Sequence, residues 1–133
     1  MRIGVMGTGL MAERALEGFA AAGIDCVALL HRPGSQSRAT ELASRFGVAA
    51  IDVDQDRFLA RSDLDAVYVA LVNVAHAAAA RAVLLAGKHA LVEKPFTSTV
   101  AEAVEVAALA KERGLMVWEA IMPRYAPTLP EVK

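Results

Sequence analysis

Short apolar runs alternate with helix-forming segments along nearly the whole chain, and this alternation constrains the fold more than any single motif. Arg2 to Met6 is an apolar run that leads into glycine, as a buried parallel strand would. Leu10 to Ala22 is rich in Ala, Leu, Glu and Arg, all good helix formers, and Gly23 stops it. The pairing then recurs. Strand Cys26 to His31 precedes helix Gln36 to Phe46, and strand Val48 to Ile51 precedes a short, poor helix over Asp54 to Arg61. Strand Leu64 to Val72 precedes an Ala-rich helix, Val74 to Ala86. Strand Ala90 to Val92 leads to a helix ending near Arg113 that Ser98 or Thr99 can cap, Thr99-Val100-Ala101-Glu102 having the pattern of a capping box, and Leu115 to Trp118 is the last strand. Strands this apolar must be covered on both faces. The pattern therefore predicts an α/β fold, a doubly wound parallel sheet with helices on both sides.

Composition narrows the function classes. The 133 residues suffice for one domain with a real core, and 56% hydrophobic against 22% charged residues places the chain among globular proteins. A formal net charge of -1, with Arg and Lys scattered, gives no reason to expect nucleic acid or an anionic membrane as partner. The most apolar stretch, Ala75 to Val92, is interrupted by Arg81, Lys88 and His89, and falls short of a bilayer span. The N-terminal apolar run is broken by Gly4, Gly7 and Gly9 and soon meets Glu13, unlike a secretory signal. The expectation is a soluble, cytoplasmic protein. The single cysteine, Cys26, reads as a small buried thiol, and His31, His76 and His89 lack ligand spacing, so no metal site is expected.

At the first strand-to-helix junction, Gly7-Thr8-Gly9-Leu10-Met11-Ala12 fits the G-x-G-x-x-G/A fingerprint of a Rossmann dinucleotide-binding domain. The first glycine allows the tight turn, the second clears space for a pyrophosphate, and a small third residue lets helix and strand pack closely. Free N–H groups and the helix dipole then face the anion. The end of the second strand selects the dinucleotide. NAD-binding domains usually place an acid there for the ribose 2′-OH, whereas this chain offers His31 and Arg32, then Ser35 and Arg38, and no acid before Glu41. A guanidinium pairs well with a 2′-phosphate, so NADP is favoured, with NAD possible; the alternative is that Arg32 is an ordinary solvated residue.

Further along, Asn73-Val74-Ala75-His76 and then Ala86-Gly87-Lys88-His89-Ala90-Leu91-Val92-Glu93-Lys94-Pro95 resemble the Gfo/Idh/MocA family, the group of glucose–fructose oxidoreductase, inositol dehydrogenase and dihydrodiol dehydrogenase. The closing Glu119 to Pro127 segment resembles the stretch that leads out of the cofactor domain in that family. The resemblance implies an NAD(P)-dependent oxidoreductase moving hydride between nicotinamide and a sugar-, polyol- or diol-like substrate. It makes Lys94 the catalytic candidate, with Glu93 pairing with Lys94 or with cofactor hydroxyls. It also lays the loop of Leu71 and Asn73 along the cofactor, with His76 a secondary candidate. Asn73 has a second reading as a helix cap. Where the family usually has proline before this Asn, the chain has Val72, which leaves the loop less restricted.

The reading divides the chain into a dinucleotide-binding domain over 1–122 and a Pro-rich exit segment over 123–133, leading toward a substrate domain that the family carries and this sequence does not include. The expectation is therefore cofactor binding without efficient turnover, in either a shortened piece or a natural short product. The uncovered end suggests homo-oligomer formation. The rival reading is a non-catalytic module that senses or sequesters a dinucleotide.

Overall fold

Strand β1 (Arg2–Met6) lies inside a parallel sheet, flanked on one side by β2 (Asp25–Leu30) and β3 (Ala50–Asp52). On its other side come β4 (Ala66–Val69), β5 (His89–Val92) and β6 (Val117–Glu119), giving the order β3-β2-β1-β4-β5-β6. The computed structural model describes residues 1–121, so the exit segment expected over 123–133 lies outside the described residues.

Successive side chains of each strand point to opposite faces, and the two faces build two cores. Ile3 and Val5 of β1 and Ala66 and Tyr68 of β4 pack with Ala12 and Leu16 of α1 (Leu10–Ala21) and Leu42 of α2 (Gln36–Phe46). Met6, Val67 and Val69 face the other way, against Ala80 and Val83 of α4 (His76–Leu85) and Val106 of α5 (Val100–Arg113). Phe58 of the short helix α3 (Gln55–Leu59) also enters this second core, where Gly4 makes way for it: a Cβ there would lie 2.7 Å from the Phe58 ring. The doubly wound sheet expected from the alternation is the fold observed.

Element boundaries moved where local chemistry intervenes. The poor helix shrinks to α3, started by Asp54, whose carboxylate accepts from the Arg57 N–H at 2.9 Å. β3 begins at Ala50 because Val48 still donates to Ala43 and closes α2. The chain leaves the sheet after Val69, so Ala70 to Val72 form the rim of a loop instead of a longer strand. A single 3₁₀ turn, Asn73–Ala75, precedes α4, and no side chain caps either element. Asn73 therefore does not serve as a cap. The Thr99–Glu102 capping box is present, with both halves formed. No helix among the described residues is long and apolar enough to cross a membrane.

Part of the conspicuous Gly-Lys-His run has a structural explanation. Lys88 is buried, and its ammonium donates to the carbonyls of Arg61 and Leu64, each at 2.8 Å, tying β5 to the loop before β4. His89 Nδ1 accepts the Met116 N–H at 3.0 Å and holds the approach to β6. Cys26 is half-buried in β2, and burial pushes its thiol up to about 11, in keeping with a packing residue.

Candidate functional site

The winding of the sheet reverses at β1: one crossover leads outward to β2 and β3, the other to β4. In open α/β sheets ligands bind outside the carboxyl ends of the strands at such a switch point. A cleft of about 640 Å³ lies there. A separate hollow of about 460 Å³, at the opposite end of the strands beside Cys26 and Asp63, is lined by the closing turns of α1 and α2 at Gly23 and Gly47, so helix C-termini and not a helix start border it.

The floor of the cleft is the turn from β1 to α1. Gly7 adopts φ +116°, and a Cβ on it would sit 2.3 Å from the Ala70 carbonyl oxygen, so the turn admits only glycine. Gly9 is the N-cap of α1, and a Cβ there meets nothing within 4 Å. No side chain caps this helix, in contrast to α5, which leaves its first N–H groups free for an anion. Ala12, the third small position, is fully buried against the sheet. Thr8 and Met11 line the cleft with the two glycines, whereas the Leu10 side chain is exposed outside the lining.

One end of the cleft is formed by Arg32, Ser35 and Arg38, after β2. Arg32 is exposed, and its only side-chain hydrogen bond among the described residues runs from Nε to Ser35 Oγ at 3.4 Å. Arg38 is committed elsewhere. Its guanidinium reaches Glu13 of α1 at 2.5 Å and Glu41 at 2.7 Å, while Arg45 also pairs with Glu13. Partial burial pushes the Glu13 carboxyl up, but hydrogen bonds and charge from Arg38 and Arg45 outweigh it and hold the group below the usual carboxylate range. His31 does not reach the lining: it is buried, and its Nδ1 donates to the Arg32 carbonyl at 2.8 Å.

At the other end, Leu71 and Asn73 follow β4, and Glu93 and Lys94 follow β5. Glu93 is buried; its Oε1 accepts the Tyr68 hydroxyl and its Oε2 accepts the Lys94 backbone N–H at 3.1 Å. The expected Glu93–Lys94 pair is thus a carboxylate-to-backbone bond. The Lys94 side chain is exposed, without a hydrogen bond or ion pair from its ammonium among the described residues, and the Lys94–Pro95 peptide is cis. His76 is fully buried behind the cleft, with its ring nitrogens facing the carbonyls of Pro95 at 2.7 Å and Leu71 at 3.1 Å. It therefore lies outside the lining, as a support.

Sequence reasoning missed Tyr68 and Glu119. A tyrosine inside an apolar strand signals a buried hydroxyl in need of a partner, and that signal was available. Glu119, at the end of β6, accepts the Phe96 N–H through Oε1 at 2.8 Å, a bond to a backbone group that no motif reveals.

Arg32 and Lys94 stand after β2 and β5, three strand spacings or about 14 Å apart across the sheet, with the glycine turn between them. A cation at one end, an anion-binding helix start in the middle and a lysine at the other define a dinucleotide-binding Rossmann domain. The comparisons with known proteins agree. The family description that matches residues 1–121 reads "Oxidoreductase family, NAD-binding Rossmann fold", and the chain belongs to this Gfo/Idh/MocA family. It is 40% identical over 121 residues, 90% of the chain, to dTDP-3,4-didehydro-2,6-dideoxy-alpha-D-glucose 3-reductase of Streptomyces violaceoruber, of which that match covers 34%. It is 34% identical to scyllo-inositol 2-dehydrogenase (NADP(+)) of Bacillus subtilis, over all of the chain and 40% of the relative. A 3-ketoreductase from Actinomadura kijaniata, solved with NADP and TDP-benzene, superimposes with a TM-score of 0.92 at 36% identity, over 99% of this chain and 40% of that one. The chain thus spans well under half the length of these relatives.

Proposed function

We propose that this chain is the cofactor domain of an NADP-preferring oxidoreductase acting on a sugar-, polyol- or diol-like substrate. Residues 1–122 would form that domain, and 123–133 would lead toward a substrate domain in the longer protein. The observation that carries the NADP preference is Arg32. It stands exposed beside Ser35 at the end of β2, while the nearby carboxylates Glu13 and Glu41 are engaged by Arg38. A 2′-phosphate there meets a guanidinium and a hydroxyl, and among the described residues the nearby acids that could accept from a ribose 2′-OH are already paired with arginine.

The residues present fit the dinucleotide: the uncapped start of α1 suits the pyrophosphate, and the cleft is lined continuously from Arg32 and Ser35 past the glycine turn to Lys94, as an extended molecule requires. When bound, the nicotinamide supplies the hydride donor or acceptor. Lys94 supplies the proton chemistry. In reduction its ammonium polarises the substrate carbonyl and gives up a proton to the oxygen; in oxidation the amine takes the hydroxyl proton. Glu93 is not the base in this scheme, since both of its oxygens already accept hydrogen bonds. A cytoplasmic setting completes the reading.

Calorimetric titration with NADP and NAD, on the wild type and Arg32→Ala, tests the cofactor assignment. NADP is expected to bind more tightly, and the substitution to erase most of that advantage; equal or tighter NAD binding by the wild type would overturn the preference. In the longer protein, Lys94→Ala should abolish turnover and spare cofactor affinity. Turnover that survives the substitution removes Lys94 from the chemistry.

A further inference from the structure

Beyond Val92 the chain leaves the sheet, and the four residues Glu93 to Phe96 carry the proposed catalytic lysine without ladder bonds on both sides. Their backbone groups must still be satisfied, and the way this is done is specific. The Glu93 N–H donates to Val69, continuing the β4 side for one residue. After that, side chains take over. The Lys94 N–H goes to the Glu93 carboxylate at 3.1 Å, and the Phe96 N–H goes to the Glu119 carboxylate at 2.8 Å. The Pro95 carbonyl faces His76 Nδ1 at 2.7 Å.

Two of these supports come from outside the segment. His76 opens α4, and its other ring nitrogen faces the Leu71 carbonyl at 3.1 Å, so one buried imidazole stands between the two loops that flank this end of the cleft. Glu119 ends β6 on the far side of β5. We propose that His76 and Glu119 are positioning residues for Lys94, clamping the backbone of Pro95 and Phe96 so that the lysine is held against the bound dinucleotide. The proposal rests on the dinucleotide reading of the cleft. A short exposed segment fixed only at Glu93 would leave the lysine free to swing with its loop; bonds on the two following residues remove that freedom. Neither positioning residue touches the cleft, so both act through the segment they grip.

Two measurements on the full chain test this. The first needs no cofactor: amide hydrogen exchange at Phe96, read by NMR. Glu119→Ala is expected to speed exchange roughly tenfold, the equivalent of one lost hydrogen bond, while Val106 in the core stays unchanged. Glu119→Gln keeps an acceptor oxygen and should restore protection. The second is acetylation of Lys94 with and without saturating NADPH, scored by mass spectrometry against Lys111 on α5. In the wild type NADPH should protect Lys94. Glu119→Ala and His76→Leu, which is close to histidine in volume and lacks both ring nitrogens, should lose that protection while NADPH affinity changes less than about threefold, and Glu119→Gln should retain it.

Wild-type protection persisting in Glu119→Ala, or Glu119→Gln behaving like Glu119→Ala in both measurements, overturns the clamp. Absence of Lys94 protection in the wild type, with Phe96 slow to exchange, overturns the cleft reading and the positioning role together. The exchange data distinguish that failure from failure of the clamp alone.

Discussion

The hydroxyl of Tyr68, in the middle of β4, donates to Oε1 of Glu93, just past the end of the neighbouring β5. Burial pushes the Tyr68 phenol above its ordinary range, and the hydrogen bond and charge of Glu93 push it further. A group whose value is raised on folding contributes stability that is intact below its unfolded value, about 10 for tyrosine, and lost as the pH climbs beyond it. Two outcomes are expected. Spectrophotometric titration should show one of the two tyrosines, Tyr68 and Tyr125, ionising only above the usual range. Tyr68→Phe keeps the edge-on packing against Phe19 but deprives a buried carboxylate of a donor, which should cost about 1–3 kcal/mol in urea denaturation.

Lys88 provides a second test because its role is structural although it stands in the family motif. Lys88→Met keeps much of the buried stem and removes two charge-assisted bonds to the Arg61 and Leu64 carbonyls. The expected loss is about 2 kcal/mol of stability with an unchanged denaturant slope. Cofactor affinity should hold, since Lys88 lies on the approach to β5, away from the strand ends that form the cleft.

The glycine turn was legible because local geometry demands it: a Cβ at Gly7 collides with the Ala70 carbonyl, so the residue type itself carries the information. The parallel sheet was legible for a similar reason, since strands buried on both faces must be apolar throughout. The role proposed for Lys94 rests on the resemblance, because an exposed lysine after a strand has no physical signature of its own. His31 misled for an instructive reason. A polar residue at the end of β2 suits the cofactor, but this ring folds back onto its neighbour's carbonyl. Glu119 was out of reach because its partner is a backbone N–H 23 residues away, and backbone partners leave no trace in residue types. Long-range pairing of side chain with backbone is the information a single sequence withholds.

Val72 departs from the proline that the family usually places before Asn73, yet the structure leaves its site ready for one. Its φ of -73° and ψ of 147° lie within the range proline imposes, and its N–H donates no hydrogen bond among the described residues. Val72→Pro should therefore stabilise the domain by about 0.4–1 kcal/mol, chiefly by restricting the unfolded chain. Chemical denaturation checks the gain. A loss of stability would show that the Leu71 turn, whose carbonyl faces His76, does not tolerate a following proline.

Arg32 and Arg38 both line the cleft, but they should not contribute equally to a 2′-phosphate. Arg38 already serves two carboxylates, Glu13 and Glu41, so turning it toward an anion means giving up contacts of 2.5 and 2.7 Å. Arg32 gives up one long bond to Ser35. Arg32→Ala is accordingly expected to weaken NADP binding about tenfold, equivalent to about 1.4 kcal/mol and close to the low end for a hydrogen bond between charged groups, and to leave NAD binding nearly unchanged. Arg38→Ala should weaken NADP binding only about twofold while loosening the α1–α2 contact, visible as a lower melting temperature. Titration calorimetry on both variants decides the matter. An Arg38→Ala loss equal to that of Arg32→Ala would show that the phosphate draws Arg38 away from Glu13 and Glu41.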